Sequence, residues 1–293
     1  MHRRQFLKIL GLSALSHQLL AKGLLAAEKP TVAVAEGTDY GEITRKAIYA
    51  LGGMQRFVKP GNLVVVKPNI GWDRTPAQAG NTHPLVARAV VEEALRAGAR
   101  KVKVFDRTCN DERRCYVNSG MSEAFRGMKN VEFKHVENER FKKVALNGVA
   151  LKEWELYGEA LSADVFINVP VAKHHRLSTL TLGLKNVMGV MGGDRGKIHR
   201  NLDVALADVN AVFTSHLTII DATRILTDNG PQGGDLADVK VLNKVIASAD
   251  VVAADAYATT LFDLRPEDIE VTVAAYKRGL GEMHLGKMRI VKV

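Results

Sequence analysis

Cysteine is almost missing from this chain of 293 residues: Cys109 and Cys115 are the whole supply, and no CxxCxxC run occurs. Two thiolates cannot complete the usual four-thiolate ligation of an iron–sulfur cluster, so no cluster is expected from this chain alone. Aromatic residues are scarce as well, at 6%. The lysines and arginines are scattered among acids, unlike the basic, aromatic-rich surfaces that grip nucleic acid, and no DNA or RNA partner is expected. There is no GxxxxGK[ST] loop, no GxGxxG after a strand-like run and no HExxH, which removes the familiar nucleotide and zinc-hydrolase signatures. No repeat or low-complexity linker interrupts the chain. No apolar run reaches the roughly twenty residues of a membrane span.

What is present begins at the first residues. HRRQFLKILG places Arg3 and Arg4 before Phe6, Leu7 and Lys8, ahead of a mildly apolar run broken by His17 and Lys22. This is the arrangement of a twin-arginine export signal, with cleavage expected near Ala26-Ala27. The reading implies a periplasmic or extracytoplasmic protein that meets the twin-arginine translocase, tethered to the membrane if the signal stays uncleaved. Cargo of that route folds before export, commonly around a cofactor or partner. Arg3, Arg4, Lys8 and Lys22 supply four of the nine net positive charges, so nearly half of the basicity belongs to targeting. In an oxidising compartment a Cys109–Cys115 disulfide is the default expectation, with metal ligation and free thiols as the alternatives.

Residues 28–293 read as one α/β domain. Short apolar runs at Thr31–Val34, Leu63–Val66, Lys101–Phe105, Asp164–Val169 and Leu217–Ile220 alternate with helix patterns such as Glu42–Leu51 and Pro84–Ala97. Thr82 is placed to cap the second helix, with Pro84 in its first turn and Gly98 closing it. Runs without polar alternation predict a mostly parallel sheet with helices on both faces. Asn147-Gly148, between two short runs, predicts a small β-hairpin-like insertion within 130–155.

Four of the apolar runs empty into polar clusters: Lys67-Pro68-Asn69, Asp106-Arg107-Thr108, Lys173-His174-His175 and Asp221-Ala222-Thr223-Arg224. Ligands of open α/β sheets sit beyond the carboxyl ends of the strands, so these clusters are expected to share one pocket. Lys67, Arg74, Lys173, Lys185 and Arg224 outnumber Asp106 and Asp221, which favours an anionic ligand. Lys185 and Asn186 lie among Gly183, Gly189, Gly192 and Gly193, which would let backbone approach a ligand closely. Neighbouring residues of an extended segment face opposite ways, so at most one of His174 and His175 should reach the pocket. His174 is taken with Lys173 and Lys185 as the catalytic set; Lys67, Asn69, Arg74, Asp106, Asn186, Asp221 and Arg224 are taken as ligand contacts. His174 and His199 are the candidate metal ligands, although proton transfer or ligand hydrogen bonding is the preferred role of these imidazoles. His83 pairs with backbone at a helix start. Trp72 and Trp154 are read as packing.

The phrases KPNIG, NVPVAKHH, TLTLGLKNVMG and IIDATRIL…NGPQGG resemble the domain-of-unknown-function-362 family across essentially all of residues 30–293. The matching motif residues are Lys67, Asn69, Lys173, His174, Lys185, Asn186 and Asp221. Longer members of that family carry ferredoxin-like cysteine clusters, a pattern from which this chain departs. The resemblance brings no established reaction. A fainter similarity, through WDRTP, KHH, GLKNVMG and His199, is to the nickel-pincer lactate racemases, whose GFSGGPK-like wording this chain lacks. That likeness implies a lysine holding a pyridinium-type cofactor and histidines that ligate metal or move a substrate proton. Three roles follow: an enzyme or cofactor protein acting on an organic anion, a non-catalytic anion or cofactor carrier serving a redox partner protein, and a partner subunit of an exported complex.

Overall fold

The computed structural model describes residues 29–293; the export signal expected at 1–27 lies outside them. Val64, Val65 and Val66 show how the sheet is built. Val64 and Val66 pack into one hydrophobic core and Val65 into the other, as a strand covered on both faces requires. The strands are β1 Thr31–Glu36, β2 Leu63–Pro68, β3 Lys101–Val104, β4 Val131–Phe133, β5 Phe141–Ala145, β6 Glu153–Tyr157, β7 Val165–Val169, β8 Val171–His175, β9 Thr179–Thr181, β10 Leu217–Leu226, β11 Val239–Ser248 and β12 Arg289–Lys292. The main sheet runs β12-β1-β11-β10-β7-β2-β3-β4, with β8 paired to β10 and β9. Along that order only β11 opposes its neighbours. The expected mostly parallel α/β architecture is the one observed.

Helices α1 (Tyr40–Ala50) and α2 (Pro84–Arg96) cover one face through Ile43, Ala47 and Ile48 and through Val86, Val90 and Val91. The other face carries α4 (Leu202–Val212), α5 (Val251–Thr259) and α6 (Glu270–Lys277), while the single turn α3 (Gly183–Asn186) lies at the strand ends. Among the described residues no helix is long and apolar enough to cross a membrane. Strands β5 and β6 form a separate antiparallel pair, whose loop is held by Asp208 accepting the backbone N–H groups of Val149, Ala150 and Leu151.

One expected cap is elsewhere. His83, not Thr82, is the N-cap of α2, its Nδ1 accepting the Leu85 N–H. Thr82 instead ties two strand ends, accepting the Asn69 N–H and donating to the Val169 carbonyl. Pro170 sets up the site. It has no N–H to continue the ladder, and pairing with β2 ends at Val169. The chain then continues as β8 alongside β10, carrying Lys173 and His175 beyond the sheet's carboxyl edge.

Candidate functional site

Beyond the ends of β2, β3 and β8 lies a cavity of about 790 Å³, lined by Lys67, Asn69, Asp106, Lys173, Lys185 and Asn186 together with His175 and His199. Lys67 is fully buried at the end of β2. Its Nζ donates to the Pro68 carbonyl at 2.8 Å and to Asn186 Oδ1 at 2.9 Å, and lies 2.8 Å from Asp106 Oδ1. Burial lowers its pKa while the neighbouring Asp106 carboxylate works the other way. Gly189 passes so close that an added Cβ would collide with both Asp106 and Lys67; this close approach is to protein side chains, where the sequence led to one toward a ligand.

The turn α3 carries Lys185 and Asn186 and is fixed from three sides. Asp255 of α5 accepts the Gly183 and Leu184 N–H groups at 2.7 and 2.9 Å, satisfying donors that a helix start leaves free. Asn168 and Asn210 donate to the Gly183 and Leu184 carbonyls. Burial raises the Asp255 carboxyl to about 7 against the pull of those N–H groups. The Asn186 amide is saturated: its Oδ1 accepts Lys67 Nζ and Asn69 Nδ2, and its Nδ2 donates to Asn168 and to the Lys67 carbonyl. Lys185 is the contrast. It is 7% exposed, and among the described residues its Nζ reaches only the Met188 thioether, at 3.2 Å. Burial, opposed by Cys109 and helped by Arg195, lowers this amine to about 8.

Lys173, 1% exposed, donates to the Gly80 carbonyl at 2.5 Å and to Asn69 Oδ1 at 3.2 Å, and sits 5.8 Å from the Trp72 ring centre. Burial brings it to about 7, opposed by Cys109 and Asp106 and helped by the charges of Lys185 and Lys67. Two residues on, His175 Nδ1 accepts the Leu177 and Ser178 N–H groups. Those bonds assign the proton of the neutral ring to Nε2, so His175 is a hydrogen-bond donor. Burial, followed by the charges of Lys185 and Lys173, holds it neutral far below its usual range. The His199 ring is nearly parallel to that of His175, with centres 6.4 Å apart.

Two further cations of the wall are structural. Arg107 donates to the Met191 and Gly193 carbonyls, and Arg195 to those of Arg107, Thr108 and Met188, which lashes the glycine-rich loop across the cavity.

Three of the four sequence clusters therefore meet and the fourth does not. Strand β10 continues past Asp221 to Leu226, so Asp221-Ala222-Thr223-Arg224 lies inside the strand rather than at its end. Asp221 accepts from the His83 and Thr223 N–H groups and the Thr223 hydroxyl, and Arg224 reaches the Tyr40 hydroxyl; neither lines the cavity. Arg74 is spent on the Gly233 carbonyl. His174 is on the opposite face of β8 from Lys173, its Nδ1 accepting the Gly230 N–H, and it lines a separate cavity of about 230 Å³. The histidine of the site is His175, as alternation from Lys173 demands. For the same reason His174 and His199 do not form a metal pair. Among the described residues no three His, Cys, Asp or Glu side chains converge as a metal site, so the donor set does not fit a bound metal. Trp72, read as packing, stands in the cavity wall.

The cysteine bridge also needs correction. Cys109 and Cys115 are both free. Cys115 is buried in a hydrophobic core, its thiol pushed up to about 11 chiefly by that burial. Cys109 is exposed on the cavity wall, 3.8 Å from an Arg195 nitrogen.

A family model described as "Domain of unknown function (DUF362)" matches residues 64–260. A thylakoid-associated protein of Synechocystis is 30% identical over 246 residues, covering 80% of this chain and 74% of that protein. Among solved structures, the lactate racemase apoprotein from Thermoanaerobacterium thermosaccharolyticum matches 78% of this chain with a TM-score of 0.50 at 12% identity. A Thermotoga maritima protein matches 78% with a TM-score of 0.45, also at 12% identity. The chain spans 56% and 60% of those two structures, and the racemase likeness is one of fold.

Proposed function

The chain belongs to the domain-of-unknown-function-362 family, and we propose that it is an exported protein that binds a small organic anion, as substrate or cofactor, in the lysine- and histidine-lined cavity. One observation carries this reading. Among the described residues the buried Lys185 ammonium has a thioether as its sole hydrogen-bond partner, and the Lys173 amine of the same cavity has no carboxylate in hydrogen-bond contact either. A buried cation without a counter-charge is costly, and an anionic ligand supplies the missing charge. Lys185 and Lys173 would hold the anion, the His175 Nε2–H would donate to it, and Asn69 and Asn186 would fix the two lysine stems relative to one another. Lys67 already has Asp106 and serves as scaffold. A group titrating near neutrality can both take and give a proton at physiological pH, so Lys173 is the proton-transfer residue of choice. Export is supported by Arg3-Arg4 and the segment that follows.

The test begins with protein purified from the cytoplasm before export. Small molecules released on denaturation are identified by mass spectrometry and absorption. A stoichiometric organic anion, absent from a folded Lys185→Met variant, is the expected result. A ligand-free wild-type chain that also ignores added carboxylates would remove the proposal and favour a partner subunit of an exported complex.

A further inference from the structure

The three amines of the cavity differ in what they have left to offer. Lys67 has placed its donors on Pro68, Asn186 and the Asp106 carboxylate. Lys185 has donors free beyond Met188. Lys173 donates to two neutral acceptors, Gly80 and Asn69, has no carboxylate in hydrogen-bond contact among the described residues, and shares the cavity with the cation of Lys185. A lysine desolvated beside another cation is a nucleophilic amine. Environments that separate two like groups assign them different tasks: here one amine to attack and one ammonium to hold charge.

We infer that the cavity accepts a 2-oxo carboxylate and that Lys173 forms an imine with its carbonyl carbon while Lys185 holds the adjacent carboxylate. The inference rests on the anion-binding reading above and names the ligand class. In the step itself, the lone pair of neutral Lys173 Nζ forms a C–N bond to the carbonyl carbon and the C=O π pair moves to oxygen. A proton passes from that nitrogen to the oxygen, giving the carbinolamine. Its hydroxyl takes a second proton, from the Lys185 ammonium, and leaves as water while the nitrogen lone pair closes the C=N bond. The protonated imine then pairs with the ligand's own carboxylate, and water restores the Lys185 proton. His175 Nε2–H is available to bind the carbonyl oxygen before attack, since its Nδ1 is committed to Leu177 and Ser178. No oxidant or reductant is needed.

Borohydride trapping tests this. The full chain is incubated with glyoxylate or pyruvate and sodium cyanoborohydride, and adducts are located by intact mass and peptide mapping. A single adduct on Lys173 is expected, falling about tenfold or more in Lys173→Arg and forming more slowly in Lys185→Met. Label spread over surface lysines with Lys173 unmodified would overturn the inference, and peptide mapping of the wild-type chain distinguishes the two outcomes even if a variant fails to fold. Malonate, which has no ketone, is titrated in parallel against Trp72 fluorescence with Trp72→Phe as control. Malonate binding without a Lys173 adduct defeats the imine and leaves the anion site standing; neither signal defeats both.

Discussion

At the scale of single residues, the site is defined by charges that burial does not favour. Lys173 and Lys185 have amines lowered from 10.5 to about 7 and about 8. Between those values and 10.5 the unfolded chain binds more protons than the folded one, so stability rises with pH across that window. Below it both states are protonated and the penalty is fully present. Denaturant titrations of ligand-free protein from pH 7 to pH 10 are therefore expected to show a rise that is reduced in a Lys173→Met, Lys185→Met double variant, where of the three cavity lysines Lys67 alone still contributes. A thioether of similar length in place of the unpaired Lys185 should be neutral or stabilising by about 1–3 kcal/mol, measured the same way, while anion binding disappears. The free thiols make a separate prediction. Cys109 should react quickly with a thiol reagent in native protein and Cys115 only on unfolding, because one is exposed and the other buried with a raised pKa. A fast loss of both would contradict the placement of Cys115. Residue identity was readable for Lys67, Lys173 and Lys185 from their place after apolar runs. The choice of His174 over His175 failed because alternation was not carried two residues on from Lys173.

At the scale of elements, the cavity depends on a one-turn helix that cannot stand alone. Asp255 holds the Gly183 and Leu184 N–H groups with both carboxylate oxygens. Asp255→Asn turns one acceptor into a donor facing an N–H, and should cost about 1–3 kcal/mol by denaturant unfolding and weaken anion binding by displacing Lys185. Gly189→Ala should do comparable damage by pushing apart the Lys67–Asp106 pair; a variant as stable as wild type would show that this loop yields freely. The five strands read from continuous apolar runs were legible because both faces of the sheet are covered. Strand β8 was not, since Pro170 precedes it and its residues are those of a site. The polar cluster after Ile220 misled for the opposite reason: Asp221 and Thr223 satisfy one another and His83 inside the strand, so polarity there does not mark an end. Helix α5 is buried almost all round, which erases the one-sided stripe by which a surface helix is recognised.

At the scale of the whole molecule, the parallel order β4-β3-β2-β7-β10 brings the carboxyl ends of distant segments to one edge, and Lys67, Lys173 and Lys185 meet there although 118 residue positions separate the outer two. Sequence alone reached that convergence through the rule for open α/β sheets; it could not supply the loop lashed down by Arg107 and Arg195, whose bonds run to backbone carbonyls. The proposed export is tested at the same scale. Arg3→Lys with Arg4→Lys should leave the folded protein in the cytoplasm, read by fractionation, whereas unchanged export would refute the twin-arginine assignment. The most direct test of the central claim is calorimetric titration of the full chain with malonate at pH 8 in buffers of differing ionisation enthalpy. An anion that pairs with Lys173 and Lys185 raises their pKa values, so binding accompanied by net proton uptake is expected, and the uptake should vanish in the double methionine variant. Binding without proton uptake, or no binding at all, would contradict the account.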